Sequence, residues 1–182
     1  KVIEINEYLN IQKKKNRVPN IVHFIFGLKE QDDEFLYVYY LSILSYLHYS
    51  KPKYAFFYYS YEPYGKYWDL IKKKIILIKI PTDYIYRIND KIAHKYAHKA
   101  DILRMEILKK YGGVYLDIDT ISYKSINHLF EYDFTIGVQE ENWQNDNYFI
   151  KKLLCNAIMI GKPNNNFINK WWNKYYEYFF PD

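Results

Sequence analysis

A chain of 182 residues is long enough for one domain that buries roughly 70% of its extended-chain surface, and too short for two comfortable ones. It carries 26 Lys and Arg against 21 Asp and Glu, a net charge of +5, and the lysines are scattered over Lys13 to Lys15, Lys72 to Lys74, Lys109-Lys110 and Lys151-Lys152. That dispersal argues against a nucleic-acid groove, and the single cysteine, Cys155, excludes an internal disulfide.

Taken in order, residues 1–19 are polar, run through Lys13 to Lys15 to Pro19, and are expected to form an arm or short helix ahead of one domain at 20–182. Asn20 to Gly27 is a compact apolar, β-rich run closed by Gly, as a central parallel strand should be. Asp32, Asp33 and Glu34 suit the positive end of a helix dipole, and the helix should run to about Tyr49 before Lys51-Pro52 breaks it. Tyr54 to Tyr59 reads as a second strand, Glu62 to Lys73 as a helix, and Lys74 to Ile80 as a third strand stopped by Pro81. A loop follows at Tyr84 to Asp90.

The next stretch changes period. Ile92, Tyr96, Ala100, Leu103, Ile107 and Tyr111 recur at three- and four-residue spacing, which predicts an amphipathic helix with one buried stripe. Lys109 and Lys110 complement the negative end of its dipole, and Gly112-Gly113 can supply the left-handed residue that stops it. Val114 to Leu116 then reads as a short buried strand that ends in Asp117-Ile118-Asp119. Aspartates are poor strand residues, and two of them at a strand tip suggest a divalent cation. Asp101 and Arg104, three apart, share one face of the preceding helix. Beyond the acidic pair, Ile121 to Lys124, Phe134 to Gln139 and Leu153 to Ile160 read as strands, with a polar loop from Glu140 to Tyr148. Gly161 to Asn164 is a turn, and Phe167 to Phe180 a last helix ended by Pro181. Strands alternating with helices imply an α/β fold, doubly wound around a mostly parallel sheet.

The run Ala100-Asp101, Arg104, Tyr111-Gly112-Gly113-Val114-Tyr115, Asp117 and Asp119 resembles the signature of DXD-containing sugar transferases of glycosyltransferase family 32. That signature is shared with the glucosylating domain of large clostridial toxins and with capsular-polysaccharide and yeast mannosyl transferases. The resemblance implies a single GT-A domain, Rossmann-like, and a metal-dependent enzyme. Such an enzyme moves a sugar from a nucleotide-diphosphate sugar, a UDP-sugar by preference, to a glycan or protein hydroxyl, with retention. It implies that Asp119 touches Mn²⁺ or Mg²⁺, while Asp117 bonds the donor's ribose or sugar and approaches the metal second. Asp101 and Arg104 would contact the donor's hexose hydroxyls and phosphate oxygens, and Tyr115 would line the same pocket. Phe26 stands where a base-stacking aromatic ends the first strand, and Asn156 lies on a strand whose Asn faces the sugars. His23, on the first strand, is open between a satisfied core histidine and a catalytic one.

Two other classes fit some of these residues. A haloacid-dehalogenase-like phosphatase also has Asp-x-Asp-x-Thr after an apolar strand, with Asp117 as nucleophile and Asp119 as general acid. Its motif sits on an early strand, whereas here three strand-helix units precede it. A non-enzymatic basic aromatic binding module would gather its lysines in one groove, and this chain does not. The longest uncharged stretch, Phe35 to Ser50, falls short of the ~20 apolar residues of a membrane span. With one cysteine and no Asn-x-Ser/Thr acceptor, a cytoplasmic location is expected. A start on Lys1 rather than Met leads us to expect a trimmed chain that could have lost an anchor.

Overall fold

A computed structural model describes residues 2–88, 91–142 and 150–178 of the chain. In order these form α1 (Val2–Lys14), β1 (Ile21–Ile25), α2 (Tyr37–Ser50), β2 (Tyr54–Tyr59), α3 (Lys66–Ile71) and β3 (Ile76–Lys79). There follow β4 (Arg87–Ile88), β5 (Lys91–Ile92), α4 (Tyr96–Tyr111), β6 (Gly113–Leu116), β7 (Phe134–Asn142), β8 (Ile150–Gly161) and α5 (Asn166–Tyr178).

Six strands make one sheet in the order β3-β2-β1-β6-β8-β7, and β4 and β5 form a separate small hairpin. The pairs β3/β2, β2/β1 and β1/β6 are parallel, while β8 runs antiparallel to both β6 and β7. The chain therefore winds outward from β1 to β3 and then returns to the other side of β1. Between β1 and β6 the strand order reverses, and the loops leaving their carboxyl ends part to open a crevice.

Side chains alternate across this sheet because the strand period is two. Ile21, Ile25, Phe56, Tyr58, Tyr115 and Met159 face one layer, made by α4, Ile168 of α5, and Ile5, Tyr8 and Leu9 of α1. Val22, Phe24, Phe57, Val114, Leu116 and Ile160 face the other, against Ile43 and Tyr46 of α2 and Trp68 and Ile71 of α3. Each such large side chain stabilises the fold by about 1.5–3 kcal/mol when fully buried. Helices on both faces make this the expected doubly wound α/β architecture with a mostly parallel sheet.

The corner from α4 into β6 depends on two glycines. Gly112 and Gly113 take φ of 65° and 95°. A Cβ on Gly113 would lie 2.5 Å from Ile21 Cγ1 and 2.9 Å from the Ile21 carbonyl oxygen, so a side chain here would drive β6 off β1. His23 locks the same corner from within the sheet. Its Nε2 donates to the Gly112 carbonyl at 2.9 Å, and its Nδ1 accepts from the Tyr58 hydroxyl at 3.1 Å. Fully buried, the imidazole has its pKa pushed down to about 4, chiefly by desolvation. Of the two readings of His23, the structure gives the core one.

Several expected elements are corrected. Ile121 to Lys124 is not a strand, because the place beside β6 is taken by β8 and the Ser122 N–H bonds instead to Ser45 Oγ on α2 at 3.0 Å. The α4 helix begins at Tyr96, since Lys91 and Ile92 pair with Ile88 and Arg87 across the hairpin. Asp32 to Glu34 precede α2 instead of occupying its first turn. The helix expected from Glu62 starts only at Lys66, after Gly65 at φ 101°, and ends in a 3₁₀ turn over Lys72–Lys74 that shortens the third strand. Strands β7 and β8 extend beyond their expected ends into what reads as loop, of which 143–149 lies outside the described residues, as does the end of the last helix beyond Tyr178.

Candidate functional site

The acidic triplet is a turn that caps a strand. The Asp117 N–H still bonds the Ala157 carbonyl at 2.8 Å, continuing the β6/β8 ladder one residue past β6. Its own carbonyl then accepts from Thr120 N–H at 3.1 Å, closing a four-residue turn. Ile118 tucks against the α2 layer, and Asp119 is left exposed at the turn.

Asn156 arrives by a different device. Between β7 and β8 the register jumps from Ile136↔Met159 to Gly137↔Cys155, leaving residues 156–158 of β8 as an irregular bulge. Bulges bend a strand and re-aim its side chains, and this one delivers Asn156 to α4.

Arg104 joins these parts. Its side chain is only 9% exposed, with the guanidinium 4.6 Å from the centre of the Tyr115 ring. Nε donates to the Ala100 carbonyl at 3.3 Å, and Nη1 donates to both the carbonyl and the Oδ1 of Asn156 at 3.1 Å. The same Nη1 lies 3.2 Å from Asp117 Oδ1, and Nε lies 3.6 Å from Asp101 Oδ1. Asn156 in turn donates from Nδ2 to Asp101 Oδ1 at 2.9 Å. The Tyr115 hydroxyl donates to Asp117 Oδ1 at 2.6 Å, and burial first, then Asp117, pushes its pKa well up, so it stays a donor. The structure thus brings Asp101, Arg104, Tyr115, Asp117 and Asn156 into one hydrogen-bonded network, with Asp119 two residues beyond it on the surface.

Phe26 sits elsewhere in the same crevice. Its ring packs edge-on against Phe35, 5.5 Å between centres, and tilts against Tyr39 at 5.0 Å. It lines a cavity of about 280 Å³ whose other walls are the loop from Gly27 to Glu34, Leu36, Tyr39 and Tyr96. Tyr96 connects the two regions, since Arg104 and Asp117 both act on its hydroxyl, whose pKa is raised mainly by partial burial. Tyr96 entered the sequence reading only as part of a buried stripe, and Tyr175 did not enter it at all. The Tyr175 hydroxyl bonds Asp101 Oδ2 at 3.3 Å. In so Tyr-rich a chain, no local pattern separates these two from the rest.

The charges present bear on whether a divalent cation fits. Asp101 and Asp117 face the guanidinium of Arg104 and Asp119 follows Asp117 by two residues, so the turn offers more carboxylates than Arg104 alone can neutralise, on hard oxygen donors of the kind Mg²⁺ or Mn²⁺ takes. Among the described residues, no three His, Cys, Asp or Glu side chains are grouped to hold a metal by themselves. A metal here would complete its shell with ligand oxygens and water.

Residues 53–135 match the family described as glycosyltransferase sugar-binding region containing DXD motif. Glucan organizing enzyme 1 of Cryptococcus neoformans var. grubii serotype A is 38% identical over 176 residues, which take in 94% of this chain and 48% of that protein. The chain therefore spans about half the length of this curated relative. Among solved structures, PaToxG Glycosyltransferase superposes with a TM-score of 0.54 at 19% identity, over 97% of this chain and 69% of that one, a likeness of fold. Residues 53–135 of this chain are thus similar to glycosyltransferase sugar-binding regions containing a DXD motif, and Asp117-Ile118-Asp119 is an Asp-x-Asp triplet inside the matched stretch.

Proposed function

We propose that this chain is a glycosyltransferase that moves a sugar from a nucleotide-diphosphate sugar, a UDP-sugar, to a hydroxyl of a glycan acceptor with retention. The observation that carries this reading is the buried Arg104 guanidinium held between Asp101, Asp117 and Asn156 at the carboxyl end of β6, beside the motif. The family match supports the reaction class. The name of the fungal relative, which mentions a glucan, supports a glycan acceptor. The preference for UDP, the retention and the roles given to single residues follow the resemblance noted in the sequence.

In this reading Arg104 serves the departing diphosphate. Nη1 and Nε are spent on protein oxygens, and Nη2 has no partner among the described residues, so it can donate to a phosphate oxygen. Donors fixed in a poorly solvated site act more strongly as negative charge grows on the leaving group, without reorganising. Asp101 orients the sugar through its hydroxyls, with Asn156 and Tyr115 keeping Asp101 and Asp117 in place. Phe26 gives the base a flat face on the wall of the neighbouring cavity. Asp119, with the Oδ2 of Asp117, would hold Mn²⁺ or Mg²⁺, which supplies charge neutralisation for the two phosphates.

The test is nucleotide release from UDP-, GDP- and CMP-sugars, with and without Mn²⁺, by the wild-type chain and by Arg104→Ala. Release from a UDP-sugar that falls at least ~100-fold in the variant is expected, because the lost contact strengthens in the transition state. Equal release by the two proteins, or none from any sugar nucleotide, would sink the reading.

A further inference from the structure

We propose that Tyr175 is a positioning residue that fixes the carboxylate plane of Asp101, and through it the orientation of the donor sugar; this rests on the function proposed above.

The helix that carries Tyr175 is anchored far from the site. Asn165, just before α5, accepts the Ile168 N–H on its Oδ1 at 2.9 Å, and Phe167 stacks on Phe134 of β7 with ring centres 4.5 Å apart. Ile168 is completely buried. Trp172 and Tyr175 follow Ile168 by four and seven residues, so all three lie on one helical face. That face meets α4, where Lys109 Nζ lies 5.2 Å from the centre of the Trp172 ring. The stripe that packs α5 onto the domain therefore ends in a hydroxyl delivered to Asp101.

Asp101 needs that hydroxyl for a geometric reason. The last torsion of an aspartate is broad, so a carboxylate held through one oxygen can swing about its axis. Asn156 holds Oδ1 at 2.9 Å, and the Arg104 Nε, at 3.6 Å, faces that same oxygen. Tyr175, at 3.3 Å, is the contact on Oδ2. Donors from β8 and α5 on opposite oxygens fix the plane, while an ionised carboxylate keeps further lone pairs to accept sugar hydroxyls. Burial and the facing Asp101 both push the Tyr175 pKa up, so the phenol remains a donor across the working pH range. The arrangement predicts a defect specific to the sugar half of the ligand, because the cavity lined by Phe26, proposed for the base, is walled by neither Asp101 nor Tyr175.

The experiment is calorimetric binding of UDP and of UDP-glucose, with Mn²⁺ present, to the wild type, Tyr175→Phe, Asp101→Asn and the double variant, together with donor turnover by the wild type and Tyr175→Phe. We expect Tyr175→Phe to weaken UDP-glucose by about 10-fold, the worth of one hydrogen bond to a charged group, and to leave UDP within twofold. In the Asp101→Asn background the same change should have no further effect on UDP-glucose, since the proposed action of Tyr175 on the sugar passes through the Asp101 carboxylate. Turnover by Tyr175→Phe should fall mainly through a raised KM for the donor. Unchanged UDP-glucose affinity in Tyr175→Phe, or an equal loss in the Asp101→Asn background, overturns the proposal while leaving the parent reading intact. A wild-type chain that binds UDP but neither binds UDP-glucose more tightly nor turns it over overturns both.

Discussion

Burial keeps the His23 imidazole neutral, with a folded-state pKa of about 4 against 6.5 for the free side chain. Between those two values the unfolded chain takes up a proton that the folded chain refuses. The contribution of His23 is complete above pH 6.5, is lost as the pH falls, and is gone by about pH 4, a loss of roughly 3 kcal/mol at 1.36 kcal/mol per unit. Thermal melts between pH 7.5 and 4 should show a fall in Tm with that window, and His23→Gln should flatten it. Asp119 behaves in the opposite manner. It is exposed and makes no side-chain hydrogen bond or ion pair among the described residues, so Asp119→Asn should change stability by no more than ~0.5 kcal/mol. The same variant should lose the strengthening of UDP binding by Mn²⁺, as read by calorimetry with metal and with chelator. Equal metal dependence in both proteins would remove Asp119 from the metal.

At the scale of elements, the α4–β6 corner is the most constrained join. Gly113→Ala combines a left-handed φ with a Cβ 2.5 Å from Ile21, so urea melts should show a loss of about 3 kcal/mol or more. Elements were legible in the sequence where one local pattern decided them. The unbroken apolar runs at Ile21–Ile25 and Tyr54–Tyr59 became β1 and β2, because central strands of a covered parallel sheet are buried on both faces. The reading failed where a distant partner decided. Ile92 has the spacing of the α4 stripe, yet Arg87 claims it for a hairpin. Ile121 to Lys124 has strand composition, yet β8 occupies the place beside β6. The site shows the same division. Asp101, Arg104, Asp117 and Asp119 stood out by fixed spacing, and Asn156 by the strand around it. Tyr175 lies 74 residues from Asp101, and only the rotation of α5 discloses its contact.

Across the whole molecule, the cavity beside β1 draws its walls from two stretches far apart in the chain, residues 26–39 and Tyr96. Phe26 closes the end of β1, Tyr39 comes from α2 and Tyr96 from the first turn of α4, so the cavity stands where the two wings of the sheet part. If the base stacks on Phe26, Phe26→Ala should weaken UDP by about 10-fold, at 1–3 kcal/mol per aromatic contact, and narrow its advantage over GDP. Undiminished UDP binding would assign the base to another wall. The position of β8 bears on how the protein is made. Growing from the ribosome, the chain presents β1, β2, β3 and β6, which pair with one another in parallel, before β8 is synthesised. Both oxygens that Arg104 Nη1 takes from Asn156, and the amide that holds Asp101, arrive only with β8. A nascent chain halted before residue 150 thus has the motif but lacks the strand that sets its partners, and β6 presents an open edge. A chain stalled there has its Arg104 network unformed and its sheet edge open, a state prone to aggregate.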